Sequence, residues 1–357
     1  MQRSAGLPVA RKLAVLAFAL LLSSCSSAPS SGPGAGPTSA PALPAGTPSQ
    51  QLVDAAGAEG AVVLYAGTSP ADNDRLVKGF NAVYPTIKVT VVRATPTALN
   101  PQIEAEVRTN TPTADVYFST DRRWLLDHTD LLTPIQSPAA AAHYAPWTSG
   151  DGRIVGFQFH PGGIEWNKDE LPDGVPSFQD LATLPADLTI GVADPKLSTG
   201  AMAWQYAATT AFGDDWLKAV LNHQVRFYPE STSLVQAIAS GEVQVGMPAF
   251  LSVARDAERS GAPVASTAGS PSIVSLMTAA ILKPGKHPSA AQLLVDFVLS
   301  PAGQATMAQD KLSPLPDIPG AVGVVEPGVT NVADPSAVSA TDQAAFMKRF
   351  DSYARRG

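Results

Sequence analysis

The chain is poor in cysteine: among 357 residues only Cys25 is found. No disulfide can form within it, so the folded part must be held by burial alone. Basic charge is in deficit too. Lysine and arginine number 24 against 31 aspartates and glutamates, a net charge of −7. Three of the basic residues, Arg3, Arg11 and Lys12, fall in the first 24, which leaves 21 against 31, near −10, for the remainder. That balance excludes a nucleic-acid binder, which needs a basic face. Hydrolase signatures are missing as well: no Gly-x-Ser-x-Gly elbow, no His-Glu-x-x-His helix, no cysteine beyond position 25. An exported hydrolase, the rival from another class, would need a nucleophile with a base and an orienting group. His128, His143, His160, His223 and His287 show no metal-ligand spacing. No catalytic residue, cofactor or metal is expected.

What is present begins at the N-terminus. Arg3, Arg11 and Lys12 precede the uncharged run from Leu13 to Leu22, followed by Ser23, Ser24 and Cys25. A basic start, a short apolar run and small residues describe a secretory signal, and the apolar run is too short to span a bilayer. With Cys25 at its end the stretch resembles a bacterial lipobox. The resemblance implies a signal peptide over 1–24 and a lipidated Cys25 that anchors the protein to the outer face of the cell membrane. From Ser26 to Ser49 the chain is almost wholly Ser, Ala, Gly, Pro and Thr without charge. Such a stretch buries too little to order itself and reads, over 25–49, as a flexible spacer.

The rest alternates strands and helices. Ala61 to Tyr65 reads as a buried strand, and Ser69-Pro70 as the cap and first residue of a helix that ends near Tyr84-Pro85. Ile87 to Val92 is the next strand, Asn100 to Arg108 a helix, Asp115 to Phe118 a strand. This order predicts an α/β fold with a parallel sheet covered on both faces. The pattern resumes with a strand at Leu188 to Val192, helices over Ala201 to Phe212 and Asp214 to Leu221, and a short helix from Leu234. A strand over Val243 to Met247, another over Ile273 to Leu282 and an amphipathic helix over Ala290 to Leu299 complete it. Phe178 to Leu184 reads as a further helix, and Pro161-Gly162-Gly163 as a turn.

Several blocks resemble the extracellular solute-binding proteins of ABC importers. They are Val62 to Tyr65, Phe80-Asn81-Ala82-Val83-Tyr84-Pro85 with Ile87-Lys88-Val89, and Ala114-Asp115-Val116. Ala239-Ser240-Gly241-Glu242-Val243, His287-Pro288, Asp296-Phe297, Leu299-Ser300-Pro301 and Gly303-Gln304 follow in the same order. The likeness is greatest to the branch that takes ferric iron, phosphonates, thiamine or sugar phosphates. It implies the two-lobed periplasmic-binding-protein (type II) fold with a ligand cleft between lobes, acting as a monomer. It also implies capture by lobe closure and delivery to a membrane permease with its ATPase. The first lobe is expected over 50–155 with a return over 252–312, the second over 156–251, with 313–357 packing on them.

Ligands of open α/β sheets sit at the carboxyl ends of strands, beside helix N-termini. Three such loops stand out: Thr68-Ser69, Ser119-Thr120 and Ser198-Thr199-Gly200. Each is expected to offer hydroxyls and backbone N–H groups to a ligand, with Phe157 and Phe250 packing against it. Singly, each Ser or Thr is also an ordinary helix cap. In ferric-binding relatives the resemblance places metal ligands at the positions of Ser69, Thr120 and Leu251-Ser252, none of which suits Fe(III). Asp121, beside them, is one carboxylate and makes no iron site alone. The expected ligand is a small polar solute such as a phosphonate, phosphate ester or other organic anion. A ferric-iron receptor and a lipoprotein with a signalling or structural role are the alternatives.

Overall fold

The computed structural model describes residues 47–354 apart from 138–139, 141–142, 269–271 and 329. The expected signal, Cys25 and nearly all of the expected spacer lie outside the described residues. Ser49 accepts the Leu52 N–H with its hydroxyl and caps α1 (Gln50–Glu59). Then come β1 (Ala61–Ala66), α2 (Pro70–Val83), β2 (Lys88–Arg93), α3 (Pro96–Arg108) and β3 (Val116–Ser119). Strands β1, β2 and β3 are parallel. Pro70 and Pro96 open their helices, where the missing N–H costs nothing. For that reason α3 begins four residues before the helix that periodicity marks at Asn100.

The chain continues through α4 (Arg122–Asp127), β4 (Leu132–Thr133) and β5 (Thr148–Ser149) into a strand of 14 residues, β6 (Ile154–Asn167). The stretch Pro161-Gly162-Gly163 is therefore not a turn but the middle of a strand. After β6 come β7 (Thr189–Ala193), α5 (Thr199–Phe212), α6 (Asp214–Leu221), β8 (Gln224–Tyr228) and α7 (Ser231–Ala239). The predicted helix from Phe178 shrinks to a 3-10 turn at Asp180–Thr183. Next are β9 (Val245–Phe250), α8 (Leu251–Arg259), β10 (Val264–Thr267) and β11 (Ile273–Leu282). Helices α9 (Pro288–Leu299) and α10 (Pro301–Met307) lead to β12 (Leu312–Ser313), β13 (Gly323–Val324), β14 (Asn331–Ala333) and α11 (Ala340–Tyr353).

Strand order is β2-β1-β3-β11-β6-β9-β7-β8. The first half of β6 pairs antiparallel with β11, and its second half, from Gly162, pairs with β9 and β10. One strand thus belongs to two sheets, and this makes two lobes. The crossing falls at Pro161-Gly162, further along than the 155/156 boundary read from sequence. The return falls between Thr267 and Ile273 rather than at 252, because β10 pairs with β6 and Ala254 of α8 packs with Leu234 and Val264 in the second lobe. Gly162 serves the crossing by leaving room for Trp204: a Cβ there would stand 2.1 Å from the indole nitrogen.

The first lobe packs α1, α2, α9 and α10 on one face of its sheet around Leu64, Phe80, Phe118 and Leu294. On the other face Leu99, Tyr117 and Leu125 close the layer. The second lobe centres on Ile190, Trp204, Leu217 and Met247. Helix α11 joins that core through fully buried Phe346 and Phe350, while β12 and β14 add to β6 and β11. Among the described residues no helix is long and apolar enough to cross a membrane.

Candidate functional site

The carboxyl ends of β1, β2 and β3 face those of β7 and β9 across one cleft. Its walls include Thr68, Ser69, Thr120, Ser198, Gly200 and Phe250 from the expected set. The cleft encloses about 690 Å³ of empty space, open solvent at its mouth included, of which water centres can occupy about 60 Å³. The lobes already touch. A methyl added to Gly200 would stand 3.2 Å from the Thr120 hydroxyl, and Thr97 donates to the Leu197 carbonyl at 2.9 Å.

The hydroxyls of the three loops are largely committed. Ser69 accepts the Asp72 N–H at 3.1 Å and Ser198 the Ala201 N–H at 3.2 Å, each capping its helix. Thr68 donates to Asn73 at 2.5 Å. Ser119, fully buried, accepts the Asp121 N–H at 3.0 Å and does not line the cleft. Thr199 is not in the lining either. Phe157 departs most from expectation: it is fully buried in the first core, against Phe118 at 4.6 Å, and is no part of the cleft. Its neighbour two residues on in β6, Phe159, is equally buried, since both faces of that strand segment are covered.

Among the described residues the Thr199 hydroxyl, buried, and the Thr120 hydroxyl, in the cleft wall, take no partner, and the loops also leave backbone available. The N–H groups of Thr199 and Gly200 at the start of α5, and of Ser231, Thr232 and Ser233 at the start of α7, take no acceptor among the described residues. Gly200, Ser231 and Thr232 line the cleft, so the starts of α5 and α7 turn free donors and partial positive charge toward it, and Ser69 brings the start of α2 to the same wall.

Arg93 supplies the full charge that sequence reasoning missed. It ends β2 in register with Ala66, so it lies on the same sheet edge as Gly67 and Thr68. Its Nε donates to the Thr68 carbonyl at 2.8 Å and its Nη2 pairs with Glu230 of the other lobe at 2.5 Å. The signal was available, because Arg93 directly follows the strand read over Ile87 to Val92. Glu230 caps nothing with its side chain.

Deeper in the cleft stands His160, 1% exposed, its ring centred 4.6 Å from that of Phe250 and tilted 30° to it. Burial, helped by the nearby Lys311 charge, pushes its pKa down to about 3, so the ring is neutral. Behind it Lys311 and Asp72, both buried, pair at 2.7 Å. Burial raises the Asp72 carboxyl, but Lys311 and Arg75 outweigh it and hold the pKa at about 2.

Among the described residues no group of three or more His, Cys, Asp and Glu could hold a metal ion. Asp121 caps α4 through the Trp124 N–H at 3.1 Å and accepts from Asn100 at 3.0 Å. Leu251 and Ser252 are buried at the start of α8.

Comparison with solved structures agrees with this architecture. Iron-bound HitA from Pseudomonas aeruginosa is 20% identical, with 82% of this chain and 99% of that one covered and a TM-score of 0.61. The substrate-binding protein of an ABC transporter from Agrobacterium tumefaciens is 17% identical over 83% and 94%, with a TM-score of 0.72. AfuA from Actinobacillus pleuropneumoniae, with fructose-6-phosphate bound, is 19% identical over 83% and 99%, with a TM-score of 0.68. At such identities the likeness is one of fold. No curated protein matches the sequence significantly. The family profile described as bacterial extracellular solute-binding protein matches residues 61–310. The chain belongs to the bacterial extracellular solute-binding proteins.

Proposed function

We propose that this protein is the receptor of an ABC importer, tethered outside the membrane by a lipid on Cys25, for a small organic oxyanion such as a phosphonate or phosphate ester. The observation that carries the reading is the convergence of the α2, α5 and α7 N-termini with Arg93 on one cleft between two lobes. Helix ends bind anions through N–H groups that need no rearrangement, and a guanidinium adds charge-assisted hydrogen bonds. The ligand bridges the lobes and stabilises the closed form, which the permease reads. Room for a few water-sized atoms favours a small ligand.

The test is a thermal-shift panel on the full chain with phosphonates, phosphate esters, polyols, polyamines, thiamine and ferric citrate. A ligand at a hundred times its Kd stabilises the fold by about 2.7 kcal/mol. The expected result is a shift with oxyanions. A shift with ferric citrate alone, or with polyamines alone, overturns the reading.

A further inference from the structure

His160 of β6 and Ser275 of β11 are direct antiparallel partners, so their side chains leave the same face of the sheet. Both line the cleft. They are 1% and 2% exposed, yet neither ring nitrogen of His160 nor the Ser275 hydroxyl has a hydrogen-bond partner among the described residues. Folded chains pair nearly all such groups, because a buried polar atom left alone is costly. Here three collect at one spot, against an apolar wall of Trp204, Met277 and Phe250. The neighbours cannot serve them. The Trp204 indole donates to the Ile273 carbonyl at 3.2 Å, and Asp72 is held by Lys311 and Arg75, each at 2.7 Å.

We propose that His160 and Ser275 form a neutral recognition subsite at the buried end of the cleft, and that the ligand is an oxyanion carrying its own hydroxyl, which this subsite reads. The proposal rests on the oxyanion reading above, in which the helix N-termini hold the charged end. A neutral imidazole offers one N–H and one bare nitrogen, and a serine hydroxyl both donates and accepts. A second anionic group would meet the bare nitrogen and the serine lone pairs in apolar surroundings, with no cation free to pair with it. An ammonium would find no free carboxylate there. An apolar group would leave all three atoms unpaired. A hydroxyl, which donates once and accepts twice, can pair with one His160 nitrogen and with the Ser275 hydroxyl at once.

Hydroxymethylphosphonate and ethylphosphonate, equal in heavy atoms and differing by a hydroxyl for a methyl, make the probe pair. They are titrated calorimetrically into the full-length protein. The wild type should bind the hydroxylated member at least about tenfold more tightly, because its partner leaves buried polar atoms unpaired. His160→Leu and Ser275→Ala should each erase most of that preference while ethylphosphonate affinity changes less than about threefold, by the same principle. His160→Gln, which keeps a donor and an acceptor, should retain part of it. Equal affinities in the wild type, or a preference that survives both His160→Leu and Ser275→Ala, would overturn the subsite. Failure of both phosphonates while a non-anionic solute binds overturns the oxyanion reading itself, and the subsite with it. Without ligand, Ser275→Ala should melt no lower than wild type. A clear fall would mean the hydroxyl already has a protein partner, and the assignment would fail on that ground.

Discussion

Arg93 and Glu230 meet across the cleft, one from each lobe, with Nη2 and Oε2 2.5 Å apart and both side chains about a quarter exposed. The same guanidinium is fixed to its own lobe through the Thr68 carbonyl. An anionic ligand and Glu230 therefore compete for one cation. Arg93→Ala should weaken anion binding by at least about tenfold, the scale of one charge-assisted hydrogen bond. Glu230→Gln should leave affinity unchanged or raise it. Calorimetric titration decides: if both substitutions weaken binding together, the ligand carries a positive group as well.

Asp72 should show its role in acid. Lys311 reaches it through buried surroundings, and Arg75 ties it in turn to Asp256 of the second lobe at 2.9 Å. Asp72→Asn leaves Lys311 buried without a counter-charge and should cost about 3–5 kcal/mol at pH 7. The sign follows from a folded pKa of about 2 below an ordinary 3.8. Stability from this carboxylate is present above pH 3.8 and lost as pH falls toward 2. Denaturant melts of the two proteins should converge across that window.

Much of the first lobe was legible, because β1, α2, β2 and β3 announce themselves through local pattern: a buried run, a Ser-Pro start, a Tyr-Pro end. Strand β6 was not. Its Pro161-Gly162-Gly163 has the local chemistry of a turn, and only distant partners, Val274 for Pro161 and Phe250 and Ala249 for the two glycines, make it extended. The edge strand β8 was missed, and the C-terminal stretch read equally as a docked helix or a loose end, for a related reason: their burial depends on segments far along the chain. At the site, loop positions were readable but not what their hydroxyls would be used for. Ser69 and Ser198 spend them on capping. Arg93 escaped because its partners Thr68 and Glu230 are distant in sequence, and His160 because nothing local places it opposite Ser275.

Asp296 offers a stability test away from the cleft. It is buried on α9, where desolvation raises its pKa to about 6 against the opposing hydrogen bonds of Ser137 and Gln292. A raised carboxylate pKa means that its contribution is fully present below pH 3.8 and is lost as pH rises through about 6. Asp296→Asn should therefore stabilise the protein at pH 7.5 by about 2 kcal/mol, roughly 4 °C in Tm. The gain should vanish by pH 4. A scanning calorimeter run at both values checks it, and a gain equal at the two would deny the burial cost.

Ser198 separates the fold from the ligand. Its hydroxyl caps α5, while Gly200, two residues on, lines the cleft with an N–H that takes no acceptor among the described residues. Ser198→Ala should cost the fold about 1 kcal/mol as any lost cap does, and change affinity little. Ser198→Asp keeps a good cap and favours the helix dipole, so the melting temperature should hold or rise. The new carboxylate sits where the oxyanion should bind, and at an effective dielectric of about 20 a like charge 4 Å away opposes binding by about 4 kcal/mol. Anion affinity should therefore collapse in Ser198→Asp while its stability does not. A ligand that binds Ser198→Asp as well as wild type cannot be an anion held at α5. One that binds it more tightly must be a cation.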